Sequence, residues 1–160
     1  MKRLVRLLAL ACLSAALVAC GPPRKSVFPP TVTIQELHAV PGKPWRLTVR
    51  VQNNSYGEMD FSALDASLHV ADLPPMPMGK AIELDVPAFA ADVVELQVTP
   101  TAPMAAAIAA IANKGSSGSV AYRVDGLMMA KPEQEKKQRP FDFQARGWLS
   151  PVPGIPDTYR

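Results

Sequence analysis

The chain has 160 residues, of which 48% are hydrophobic and 19% charged, with seventeen prolines, nine glycines and a formal charge of +3. That length suits one domain around a single buried core and leaves little for a second. The excess charge does not make a nucleic-acid surface. Lys2, Arg3 and Arg6 belong to the N-terminal leader, the rest balances fourteen basic against fourteen acidic side chains, and no basic run is interleaved with aromatics, so neither a phosphate-tracking groove nor an anionic-lipid patch is expected.

In chain order, Met1 to Arg6 is a basic stretch and Leu7 to Leu17 an apolar one, shorter than the roughly 17–25 residues that a spanning helix needs. This is the pattern of a cleaved export signal. Leu17-Val18-Ala19-Cys20 resembles the bacterial lipobox, and the resemblance implies a diacylglyceryl thioether (palmitate-type acyl chains) on Cys20, cleavage after residue 19 and acylation of the new amine. Several chains on one cysteine hold a protein on a membrane essentially permanently, at about 0.8 kcal/mol per buried methylene. Gly21, not aspartate, follows the cysteine, so by analogy with enteric bacteria the expected location is the outer membrane, with the domain facing the periplasm. Gly21 to Pro30 holds four prolines and is expected to be an extended tether of roughly 30 Å at about 3.1 Å per residue. Cys12 lies in the leader and Cys20 is the acylation site, so the folded domain has no thiol for a disulfide, a thiolate metal site or a nucleophile.

Beyond the tether the period is two. Trp45, Leu47, Val49 and Val51 alternate with Arg46, Thr48, Arg50 and Gln52, which places one set on a buried face and the other in solvent. Similar patterns run through Val32 to Leu37, Leu64 to Ala71, Ala81 to Val86, Asp92 to Thr99, Ser119 to Met129 and Phe141 to Leu149. Seven strands separated by turns such as Asn53-Asn54-Ser55 and Leu73 to Gly79 predict an all-β fold, a seven-stranded antiparallel sandwich of the immunoglobulin or fibronectin type III kind. One short helix interrupts it. Met104, Ile108 and Ile111 fall at i, i+4 and i+7, with Thr101 as the cap, Pro103 in the first turn and Gly115 at the end, and the segment is read as a plug over one end of the sandwich. Lys131 to Arg139 carries both signs of charge and reads as a solvated hairpin loop. The common parity of Phe141, Phe143, Ala145, Gly147 and Leu149 turns Trp148 outward unless a bulge at Gly147 rotates it. The expected division is therefore residues 1–19 signal, 20–30 lipidated tether, 31–150 sandwich and 151–160 a C-terminal tail.

No enzyme is expected. His38 and His69 are the two histidines, and neither sits in a recognisable catalytic setting. Asp65, Ser67 and His69 share one strand face, but i, i+2 neighbours lie about 7 Å apart and seldom form a triad. Phosphate-cradling glycine loops, zinc spacings and calcium loops do not occur in the sequence. Met76-Pro77-Met78, read as a loop near His69, raises a rival reading as a periplasmic Cu(I) carrier, because thioethers select Cu(I).

Leu47-Thr48-Val49-Arg50-Val51-Gln52-Asn53-Asn54-Ser55-Tyr56 resembles the strand and Asn-Pro-Asn turn of late embryogenesis abundant type 2 proteins, also described as water stress and hypersensitive response (WHy) domains. Asn54 stands where that pattern has proline. The similarity continues through Leu68-His69-Val70, Gly79, Val86-Pro87-Ala88, Val94 to Val98 and Val120 to Gly126, and so spans about Val32 to Leu149. It implies a sandwich similar to fibronectin type III, no cofactor, and a role in desiccation or stress tolerance through weak contacts with membranes or proteins. A structural adaptor in an envelope or secretion complex is the alternative, since exposed sheet edges can pair with another strand. The expected partners are membrane lipid through Cys20 and such weak contacts, with no nucleic acid. Because acylation precedes cleavage at a lipobox, Cys20→Ala is expected to leave an unprocessed precursor that takes up no fatty-acid probe during metabolic labelling. A mutant that still labels would refute the anchor.

Overall fold

The computed structural model describes residues 24–160. The leader and Cys20 lie outside the described residues. The elements are β1 (Thr31–His38), β2 (Trp45–Gln52), β3 (Met59–Val70), β4 (Met76–Val86), β5 (Ala91–Val98), α1 (Ala102–Ala112), β6 (Val120–Pro132), β7 (Arg139–Leu149) and β8 (Thr158–Tyr159). They form two four-stranded antiparallel sheets packed as a sandwich, ordered β5-β2-β1-β8 and β4-β3-β6-β7. Among the described residues there are thus eight strands where periodicity predicts seven. In β2 the alternation is kept residue for residue: Trp45, Leu47, Val49 and Val51 are buried in the core, while Arg46 is exposed and Thr48, Arg50 and Gln52 are half-buried.

The eighth strand comes from the segment expected to be a tail. Thr158 and Tyr159 pair with His38 and Leu37, and Ser150 and Arg160 exchange backbone hydrogen bonds of 2.7 and 3.0 Å. Arg160 also meets Glu36 at 2.7 Å. Burial of the Tyr159 ring makes the segment part of the fold. A two-residue strand among prolines has no period to betray it.

Two register shifts explain the other departures. In β1 the pairing with β2 slips between Ile34 and Glu36, so the buried set passes from Val32 and Ile34 to Leu37. In β3 the pairing with both neighbours slips between Phe61 and Ala63. Met59 and Phe61 are buried before that point and Leu64, Ala66, Leu68 and Val70 after it. One extra residue reverses which parity faces the core, which is why the period of two begins to show only at Leu64.

The sheets are also joined by polar groups. The Tyr122 hydroxyl on β6 accepts from the Ile34 N–H (3.2 Å) and donates to the Ile34 carbonyl (3.4 Å) on β1, next to its slip. Burial pushes the phenol above the ordinary tyrosine range, against a smaller opposing effect of the Ile34 hydrogen bond. The ring lies over its cross-strand partner Gly147, where a Cβ would come within 2.6 Å of it. The glycine therefore makes room for the ring, and the β6–β7 register runs through it without a slip. Helix α1 connects β5 of the first sheet to β6 of the second. Thr101 caps it, its Oγ1 accepting from the Met104 N–H, Pro103 lies in the first turn, and Met104, Ile108 and Ile111 are buried. Gly115 follows the C-cap Asn113 with φ +59°. No helix among the described residues is long and apolar enough to cross a membrane.

The end of the sandwich away from α1 is organised by Asn53, a fully buried polar side chain. Its Nδ2 donates toward the carbonyls of Gly57 (2.8 Å), Val86 (3.0 Å) and Pro87 (3.1 Å). Two amide hydrogens serve three acceptors, so one is shared. Its Oδ1 accepts from the Ser55 N–H (2.8 Å), and its own N–H donates to the Ala90 carbonyl (2.9 Å). One side chain thereby fastens the β2–β3 turn of one sheet-to-sheet crossing to the β4–β5 turn of the other.

Two outcomes follow for stability. Val49→Asp places a carboxylate without a partner at a core position with no exposure, a cost of several kcal/mol against a total stability of about 5–15. The full-length variant is expected to lose cooperative thermal unfolding by circular dichroism, and native-like melting would refute the strand's orientation. Asn53→Ala leaves buried carbonyls to find other partners at about 1–3 kcal/mol each, and is expected to lower Tm by roughly 5–15 °C. Asn54→Ala, whose side chain is more exposed, is expected to shift Tm far less, and equal losses would refute the role given to Asn53.

Candidate functional site

The described residues offer three surfaces. The first is the end built on Asn53. Residues 25–30, expected to be free tether, lie against it. Lys25 Nζ meets Glu133 Oε2 at 2.6 Å, and the Lys25 N–H donates to Gln134 Oε1 (3.0 Å) in the β6–β7 loop. That ammonium first, and the Glu58 N–H second, hold the Glu133 carboxyl below the usual carboxylate range. The Tyr56 N–H donates to the Ser26 carbonyl (3.0 Å), the Ser55 hydroxyl accepts from the Phe28 N–H (2.9 Å), and Asn54 Nδ2 donates to the Pro29 carbonyl (2.9 Å) and Thr31 Oγ1 (3.0 Å). Asn54 thus does what the proline of the resembled turn cannot, since its amide pins the entry into β1.

On this end three aromatic rings face solvent: Phe28, Tyr56 and Phe89, at 46%, 58% and 59% exposure. Tyr56 lies 6.4 Å from Phe28 and 4.8 Å, edge to face, from Phe89. Phe89 has φ +57° in a turn closed by the Ala90 N–H to the Pro87 carbonyl (3.1 Å). A left-handed residue at the third position of such a turn is normally glycine, and a bulky side chain there costs about 1–2 kcal/mol. Sequence reading missed this cluster because its members come from three separate segments.

The second surface is the outer face of the β3-β6-β7 sheet. His69 Nε2 lies 3.1 Å from Asp125 Oδ1, Arg123 Nε donates to the same oxygen at 2.8 Å, and Arg123 Nη2 lies 3.1 Å from His69 Nδ1. Arg123 Nη2 also lies 3.0 Å from His69 Nε2, so one guanidinium contacts both ring nitrogens and the Asp125 carboxylate. Ser67 sits opposite Asp125 in the register, while Asp65 is exposed farther along β3. The polar row read from the sequence is therefore completed across the sheet by Arg123 and Asp125, without bringing Asp65, Ser67 and His69 together as a triad. Trp148 is 67% exposed on this face and, with His69, Asp72, Arg123 and Arg146, borders an open depression of about 590 Å³.

The third surface is an apolar groove of about 710 Å³ at the α1 end, between the β1–β2 loop, the alanine face of α1 and Tyr159. His38 lies at this end, its Nδ1 3.2 Å from Thr158 Oγ1. Lys131 and Pro132 complete β6 and Arg139 opens β7, so the charged loop is shorter than expected and spans residues 133–138.

One reading is corrected. Met76-Pro77-Met78 is not a loop but the start of β4, with Met76 and Met78 at 3% and 2% exposure. They pair with Leu68 and Ala66 and point into the core, whereas His69 lies on the opposite face of its strand. The two thioethers fill space as core methionines do. Among the described residues no group of three or more His, Cys, Asp or Glu is placed to hold a metal ion.

No protein-family model and no curated protein matches the chain. Among solved structures, the solution structure of AT1g01470 from Arabidopsis thaliana is similar with a TM-score of 0.53 at 11% identity, over 87% of this chain and 91% of that one. The X-ray structure of the Northeast Structural Genomics Consortium target SoR45 reaches 0.43 at 12% identity, over 82% and 88%. A protein from Archaeoglobus fulgidus reaches 0.41 at 10% identity, over 79% and 100%. At these identities the likeness to the Arabidopsis protein concerns the fold alone.

Proposed function

We propose that the chain is a lipid-anchored, non-enzymatic envelope protein with a late embryogenesis abundant type 2-like sandwich, which protects membranes or neighbouring proteins during water loss by weak contacts. The observation that carries this reading is the docking of Lys25 to Pro30 against one end of the sandwich. Five residue steps separate Cys20 from Lys25, and at 3.3–3.6 Å each they reach at most about 18 Å. A lipid on Cys20 would therefore hold that end, and not a distant body on a loose tether, at the bilayer of the outer membrane. Held so, the domain acts at high local concentration even where each contact is weak. The resemblance in the Asn53-Asn54-Ser55 turn supports the protective role, and the sandwich fold is compatible with it.

A second reading, an adaptor in an envelope or secretion complex, is favoured by one feature. Trp148 stands exposed beside Arg146 on β7, which is an edge strand of its sheet, and exposed tryptophan with arginine is the composition of interface hot spots.

Drying and rehydrating a labile enzyme with this protein, and with an equal mass of an unrelated β-sandwich, separates the two readings. Protection predicts higher recovered activity with this protein at equal mass. Equal recovery would remove the protective role and leave the adaptor reading.

A further inference from the structure

We infer that the Phe28, Tyr56 and Phe89 cluster is a membrane-contacting surface that seats the domain end-on in the bilayer interface beside its own lipid anchor. The inference rests on the lipid-anchor reading and deepens it, because a lipid fixes only one point whereas the rings would fix an orientation.

The occupant follows from where the chain leaves the described residues. Arg24 lies four residues from Cys20, within about 14 Å, and Phe28 lies a further four residues on, already docked on Ser55. The rings therefore stand on the face from which the lipid would emerge. Rings of this kind, apolar in body and with a polar tip on tyrosine, collect at the boundary between hydrocarbon and water. The Tyr56 hydroxyl suits the headgroup level and the phenyl rings the layer beneath it. Exposed Lys136 and Lys137 on the neighbouring β6–β7 loop suit phosphate oxygens at that level, while Lys25 is already taken by Glu133.

Backbone conformation makes a second, independent observation. Phe89 holds φ +57° in a turn that glycine would enter without strain. Ala71 and Asp157 also hold positive φ, and Phe89 is the one of the three that carries a ring into solvent. The neighbouring ring within reach is Tyr56, itself exposed. Opposite, at the α1 end, the apolar groove and Tyr159 would face away from the membrane.

The test uses the full-length processed protein reconstituted in vesicles of phosphatidylethanolamine and phosphatidylglycerol, with and without brominated acyl chains, and the intact mass of the same sample to read the lipid on Cys20. Wild type carries Trp45, buried, and Trp148, away from the aromatic end, so its emission is expected to be unaffected by bromine. Phe89→Trp adds an emission that bromine quenches. Amide exchange on the unmutated protein guards against a variant that misfolds: vesicles are expected to slow exchange at residues 54–58 and 87–91 and leave the α1 end unchanged. Phe89→Gly relieves the strained turn, so it is expected to melt no lower than wild type while losing part of that protection. Lipid on Cys20 without quenching and without slowed exchange overturns the inference and leaves the anchor standing. A blue shift that grows with protein density but is blind to bromine means that the rings meet another copy, and also overturns it. A mass without lipid refutes the anchor reading and the inference together.

Discussion

The primary amide of Asn53 is the constraint on which the rest of the structure depends. A buried amide is tolerated only when its hydrogen-bonding groups are paired, and Asn53 finds its partners at two turns: Gly57 and Ser55 in the β2–β3 turn, and Val86 at the end of β4 with Pro87 and Ala90 in the β4–β5 turn. Both turns carry the chain from one sheet to the other. Fixing them together sets how the sheets meet at that end, and it also fixes where Tyr56 and Phe89 stand. The bond from Ser55 to Phe28 then adds the third ring. A local polar requirement thus produces an exposed aromatic surface, and the two belong to one small piece of geometry.

The opposite end is held differently. There the crossing from the first sheet to the second is made by α1, whose apolar stripe enters the core, and the C-terminal strand closes the edge of the first sheet beside β1. Between the ends the Tyr122 hydroxyl bridges the sheets, in space that Gly147 leaves open. Each end is therefore held by its own means, and the two differ in chemistry: aromatic rings and docked leader-proximal chain at one, an alanine-lined groove at the other. Such an asymmetry has a use for a domain held at a surface by one terminus. In the proposed arrangement the end nearest Cys20 contacts lipid, and the groove and Trp148 stay free for other molecules.

Much of the fold is legible in the sequence because it rests on local periods. The alternation from Trp45 to Gln52 and the stripe Met104, Ile108, Ile111 with the Thr101 cap reappear in the structure, and so does the outward Trp148. What escapes is whatever breaks a period or joins distant segments. The slips at Ile34/Glu36 and Phe61/Ala63 reverse parity within a strand. Pro77 and Gly79 suggest a turn, yet both lie in β4 at the edge of its sheet, where a missing donor can be borne. The two residues of β8 are too few to show alternation. Of the site, the Asn53-Asn54-Ser55 turn is visible as a motif, but the aromatic cluster is not, because Phe28, Tyr56 and Phe89 meet only after the turns are fastened. His69 is legible as a surface residue, while its partners Arg123 and Asp125 come from β6, its neighbour in the sheet.

The central claim is that the end organised by Asn53 faces the membrane. Neutron reflectometry of the processed, full-length protein on a supported bilayer tests it most directly. The longer strands, such as the twelve residues of β3, run along the sandwich, and at about 3.3 Å per residue they give it a length of roughly 40 Å. The account predicts a protein layer of roughly that thickness beginning at the headgroups with no water between. A water-filled gap beneath the protein, or a much thinner layer from a domain lying on its side, would contradict it.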